Sequence, residues 1–189
     1  MPMSLSFINI RLLTSIVCIS MLIVSNSIQA KTKDKYEYSS NSLRVRLSPK
    51  VPQNIAAFYE GRGFSKPMID TLKQQCFITI GIHNKSNDII WLKASNWVFS
   101  TKAGNIKRRD RAYWKSVWKK MSIPLAHQST FRWTLLPEEL DFRSGEHEGG
   151  NIILPYTEQP FTLTAEFKTK ADKSGEPIKV IINNIQCER

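Results

Sequence analysis

Apolar and polar residues alternate along most of the chain. In SLRVRLS, Ser42–Ser48, Leu43, Val45 and Leu47 are set against Arg44 and Arg46. That period of two marks a strand with one buried face. Pro49 and Pro52 close it. From Gln53 to Gln75 the pattern becomes helical. Ile55, Ala56, Phe58 and Tyr59 suit one or two turns ended by Gly61 and Gly63, and Ser65 with Pro67 opens a second short helix carrying Met68, Ile69 and Leu72.

Strand grammar returns at CFITIGIH, Cys76–His83, and after the turn Asn84–Asp88 it continues in IIWLK and NWVFST. Gly104 and Asn105 form another turn. STFRWTLL (Ser129–Leu136), FTLTAEF (Phe161–Phe167) and IKVIINNI (Ile178–Ile185) read as three more strands. About seven short strands with turn chemistry between them predict a mainly β fold. We expect an antiparallel β-sandwich of immunoglobulin-like architecture. A short helical insertion follows its first strand, and a short basic helix lies between later strands. The domain spans residues 42–189, preceded by a flexible polar leader at 31–41.

The first thirty residues follow different rules. They hold one base, Arg11, and no acid, followed by the apolar run Leu12–Val24 and the small polar stretch ending at Ala30. This is the layout of a secretory signal peptide cleaved near Ala30. The run is too short for a spanning helix, which needs about 20 apolar residues. The expected location is therefore periplasmic or secreted. Cys18 leaves with the signal, and Val17 before it does not suit lipidation. Cys76 and Cys187 remain, and two cysteines in an oxidising compartment most simply form one disulfide.

Charge narrows the partners. The chain has 27 bases and 16 acids. Losing Arg11 leaves the mature chain near +10, which bears on partners and not on fold. The bases concentrate in Lys102–Lys120, with eight of them against one acid. Tyr113, Trp114, Val117, Trp118 and Met121 recur there at helical spacing. One reading is a crossover helix that packs its tryptophans on the sandwich and leaves its lysines in water. The functional reading is a docking surface made of Lys107, Arg108, Arg109, Arg111, Lys115 and Lys119, with Trp114 or Trp118 as the anchor if exposed. Arginine suits bidentate contact with carboxylates, and tryptophan and arginine are favoured hot-spot residues.

The leading expectation is a non-enzymatic exported protein that binds an acidic envelope or secreted protein in an accessory, inhibitor or immunity-type role. An anionic membrane or glycan surface is a further partner class. Nucleic acid is not expected, because export removes the usual target, and no cofactor is expected. The chain carries no nucleophile elbow and no phosphate-cradling glycine loop. Two alternatives rest on particular residues. GEHEGGN, Gly145–Asn151, could make a metal site from His147 with Glu146 or Glu148, joined by His83 or His127. The acidic residues from Glu138 to Glu148, with five tryptophans in the chain, could serve a carbohydrate-binding or carbohydrate-active protein. Pro137–Pro155 reads as a long ordered structural loop in which Gly149 and Gly150 turn back into the sheet.

Overall fold

A computed structural model describes residues 35–189. The expected signal peptide and its expected cleavage near Ala30 lie outside the described residues. The described chain forms two antiparallel sheets and four short helices.

The first sheet runs β1 (Tyr36–Ser39), β2 (Leu43–Lys50), β3 (Gln75–Asn84) and β8 (His147–Pro155) in that order. The second is centred on β9 (Phe161–Thr169). One edge of β9 pairs with β10 (Ile178–Ile185). Its other edge pairs with β4 (Ile90–Lys93) and β5 (Val98–Thr101), which carry β7 (Glu139–Phe142) and β6 (Gly104–Ile106) outside them.

Side-chain alternation explains the stacking. Leu43, Val45 and Leu47 of β2 and Cys76, Ile78, Ile80 and Ile82 of β3 point at the second sheet, where Leu163, Ala165, Phe167, Val180 and Ile182 meet them. The result is the expected β-sandwich. Nothing beyond two packed antiparallel sheets ties it to the immunoglobulin fold.

The opposite face of β3 and β8 presents Phe77 and Ile153, a cross-strand pair. Over them lie α1 (Pro52–Glu60), α2 (Lys66–Lys73), α3 (Arg111–Lys120) and α4 (Leu125–Thr134), which bury Ile55, Tyr59, Met68, Leu72, Trp114, Trp118 and Phe131 in a second core. A proline at the start of α1 and of α2 fits its fixed φ and lost N–H to the first helical turn. Among the described residues no helix is long and apolar enough to cross a membrane.

The Cys76–Cys187 bridge is formed, with Cα atoms 5.3 Å apart. It ties β3, in the middle of the first sheet, to the segment after β10 in the second.

Four sequence expectations need correction. Ser129–Leu136 is not a strand, because most of it belongs to α4. Phe131 and Trp133 suggested a period of two, but on a helix they diverge. Phe131 is buried against the other helices and Trp133 is 76% exposed. The leader is not loose throughout, since Tyr36–Ser39 pairs with Arg44–Leu47 and buries Tyr36.

Pro137–Pro155 is not a long loop either. It is two strands in different sheets joined by a turn over residues 143–146, where Gly145 has φ +77°. Gly149 and Gly150 lie inside β8 rather than in a turn. A Cβ on Gly150 would come within 2.5 Å of the Leu136 nitrogen, so glycine is needed for close backbone approach there.

Asn84 locks the end of β3. Its amide donates to the carbonyls of Asp88 and Phe142, while Ser86 donates to its side-chain oxygen. The side chain of Asn84 is fully buried, so the Asn84-Lys85-Ser86 sequon sits where a glycan would not fit.

Candidate functional site

After β6 the basic segment passes along the edge of β8, where the Arg109 N–H donates to the Ile153 carbonyl at 2.8 Å. Asp110 then caps α3, accepting from the Tyr113 N–H at 2.8 Å. An oxygen at this position satisfies an amide that the helix leaves unpaired. The cap fixes the helix so that Trp114 and Trp118 turn inward. Their rings stack with centroids 4.9 Å apart, and Phe131 of α4 packs edge-on against both, at 5.1 and 5.2 Å.

Both tryptophans are therefore packing residues, and neither protrudes as the anchor that the sequence offered. The spacing that suggested the stripe is the spacing of a helix's buried face. Their indole N–H groups are nevertheless buried with no hydrogen-bond partner among the described residues.

The six basic docking residues divide into two groups. Three arginines have structural work. Arg108 grips Glu138 through both terminal guanidinium nitrogens, one at 3.2 Å, with only 13% of its side chain exposed. Arg109 lies over the Tyr113 ring, 4.2 Å from its centroid. Arg111 donates to the Leu135 carbonyl at 3.2 Å. Lys107, Lys115 and Lys119 are exposed. The lysines are available to a partner, whereas the arginines are largely spent on holding the segment in place.

Between α3 and α4 runs a groove of about 490 Å³. Trp114, Trp118, Phe131 and Leu125 give it apolar walls, and Arg111, Lys115 and Arg132 supply charge. Its lining contains three cations and no acid. Leu125 is 80% exposed, so apolar surface opens directly to water. Leu125, Gln128, Ser129 and Arg132 were not singled out from the sequence. They follow one another at the three-and-four spacing of a helix face, a signal hidden by reading their segment as a strand.

The metal candidates fall differently. His147 opens β8 opposite His83 of β3, and their rings stack with centroids 3.6 Å apart. Glu146 faces into the turn and accepts from the Arg143 N–H at 2.7 Å. Glu148 follows His147 on the opposite face of the strand, opposite Ile82. His127 is on α4 against Phe64. Two histidines converge and the third does not. Among the described residues no three histidine, cysteine or carboxylate groups gather as a metal would require. Burial pushes the His83 pKa down, helped by His147, Arg44 and Lys85.

The carbohydrate candidates are engaged with neighbours. Glu138 is held by Arg108, and Glu139 pairs with Lys93 at 2.8 Å, which lowers its pKa. The Trp91 ring is covered by the Lys173 ammonium at 4.2 Å, and its N–H donates to the Lys170 carbonyl. The ammonium covers one face of that ring.

No family model matches the chain, and no curated protein does. Among solved structures, a candidate lipoprotein of Bacillus subtilis is similar at 12% identity with a TM-score of 0.41. The match covers 78% of this chain and 38% of that one. A likeness this distant assigns neither function nor place in the cell.

Proposed function

We propose that this protein is a non-enzymatic, exported binding module whose α3–α4 groove receives an acidic segment of an envelope or secreted protein. The observation that carries this reading is the groove itself, apolar in its walls, with three cations and no acid in its lining. A partner segment combining apolar side chains with carboxylates would bury the former against Trp118 and Leu125. It would place the latter near Arg111, Lys115 and Arg132. Exposed Lys107 and Lys119 extend the same field and would steer the partner in. The Cys76–Cys187 bridge suits an oxidising compartment, which supports export to the periplasm or beyond. An accessory, inhibitory or immunity-type role follows from occupying a partner's acidic face.

Charge reversal tests this reading without disturbing the fold. Lys107→Glu, Lys115→Glu and Lys119→Glu together should leave the melting temperature within about 2 °C, because exposed charges contribute little to stability. The same variant should lose capture of acidic proteins from envelope extract by at least about tenfold. Undiminished capture would remove the groove from the function. Capture transferred to anionic lipid vesicles, and equally sensitive to the lysines, would replace the protein partner with a membrane surface.

A further inference from the structure

The outer face of the first sheet is covered by helices only at one end. At the other end, past Thr79 and Asn151, it carries Gly81 of β3 paired with Gly149 of β8. Arg46 faces Gly81 from β2, and the next row reads Arg44, His83, His147 across the three strands. The missing side chains leave an open notch of about 290 Å³, lined by Arg44, Arg46, Gly81, His83, His147 and Glu148 among others.

The two glycines differ in what they need. A Cβ on Gly149 would fall 2.6 Å from the Ile80 carbonyl oxygen, so packing demands glycine there. A Cβ on Gly81 would meet nothing within 4 Å. Gly81 is not among the residues with positive φ. Glycine is a poor strand former, and neither space nor backbone requires it at this position. Within a strand such a glycine marks a place where something else approaches the backbone.

We propose that the notch binds a compact oxyanion, a phosphate or sulfate group, held by Arg44 and Arg46 on one side and the His83 and His147 imidazoles on the other. The fixed charges on this face are net positive: Arg44, Arg46 and Lys85 stand against Glu37, which pairs with Arg44 at 3.5 Å. The histidines set how much further the notch charges as pH falls. Without an anion, protonating His83 is opposed by its burial and by His147, Arg44 and Lys85. An oxyanion placed among these groups turns repulsion into shared attraction and favours imidazolium. By linkage, protonation tightens the anion by the factor by which the anion tightens the proton. Binding should strengthen as pH falls through the histidine range. A metal cation fits less well, because the stacked rings face cations and do not converge on a point.

The test is histidine titration by nuclear magnetic resonance, in inorganic phosphate and in chloride at equal ionic strength. The chain has three histidines, and His127, packed on Phe64, is an internal control. Phosphate should raise the His83 and His147 midpoints by about half a unit or more relative to His127. Gly81→Val should abolish that rise by filling the notch, and Arg46→Gln should diminish it if the valine variant unfolds. Equal midpoints in the two salts would overturn the proposal, as would an undiminished rise in a folded Gly81→Val protein. Vesicles of phosphatidylglycerol that reproduce the rise would identify a lipid headgroup as the source. A rise with inorganic phosphate alone would identify the free ion.

Discussion

Replacing Cys76 and Cys187 with alanine is expected to destabilise the protein by about 4 kcal/mol, the loss predicted for opening a crosslink across a loop this long. The two cysteines are 111 residues apart in sequence, and their Cα atoms are 5.3 Å apart in the fold. The bridge encloses β3 through β10, which is most of the chain that must be ordered. Without it, the unfolded ensemble regains the freedom that the crosslink withheld. The location adds a packing cost. Cys76 sits in the sandwich core and Cys187 packs against it from the far sheet. Urea unfolding of the double-alanine variant against wild type, with and without reductant, measures the effect. A loss below about 1 kcal/mol would mean that the bridge constrains little.

Trp118→Ala should be nearly as damaging, at about 3–5 kcal/mol, the range for deleting a large buried aromatic side chain. Trp118 is 1% exposed and stacks on Trp114, with Phe131 against both. These three rings join α3 to α4, and Tyr59 and Phe77 continue the contact to α1 and the sheet. Removing the indole opens a cavity at the centre of the helical layer, which backbone shifts can close only in part. Trp133→Ala, near the end of α4 and exposed, should cost less than about 0.5 kcal/mol. The pair of variants separates a packing tryptophan from a surface one. Equal costs at the two positions would contradict the placement of α4.

What could be read from the sequence, and what could not, follows from how far each signal reaches. The strands Leu43–Lys50, Gln75–Asn84, Phe161–Thr169 and Ile178–Ile185 were legible because each buries one face, so their alternation is strict. The bridge was legible from the count of cysteines. α4 was not, because Phe131, Trp133 and Leu135 mimic a strand, while the rings that bury Phe131 are on the preceding helix α3 and leave no mark in the spacing within α4. Gly149 and Gly150 suggested a turn because close backbone approach across a sheet leaves no local trace. The basic segment was found as a run, yet its division into structural arginines and exposed lysines depends on Glu138 and Leu135, which only the fold brings near, and on Tyr113, four residues after Arg109. For the same reason the His83–His147 pair could be suspected but not placed. Their adjacency comes from strand register, not from spacing.

The central claim is that the α3–α4 groove receives an acidic, partly apolar segment. Its most direct test follows the indole N–H resonances of the five tryptophans in nitrogen-15-labelled protein while a synthetic peptide of mixed glutamate and leucine is added. Trp114 and Trp118 line the groove, while Trp97, whose indole N–H is likewise buried without a partner among the described residues, belongs to the sandwich core. The account predicts that the Trp114 and Trp118 signals move saturably, that Trp97 stays still, and that the triple lysine-to-glutamate variant shows no movement. Signals of Trp114 and Trp118 that remain in place while Trp91 moves, or that move equally in the charge-reversed variant, would contradict it.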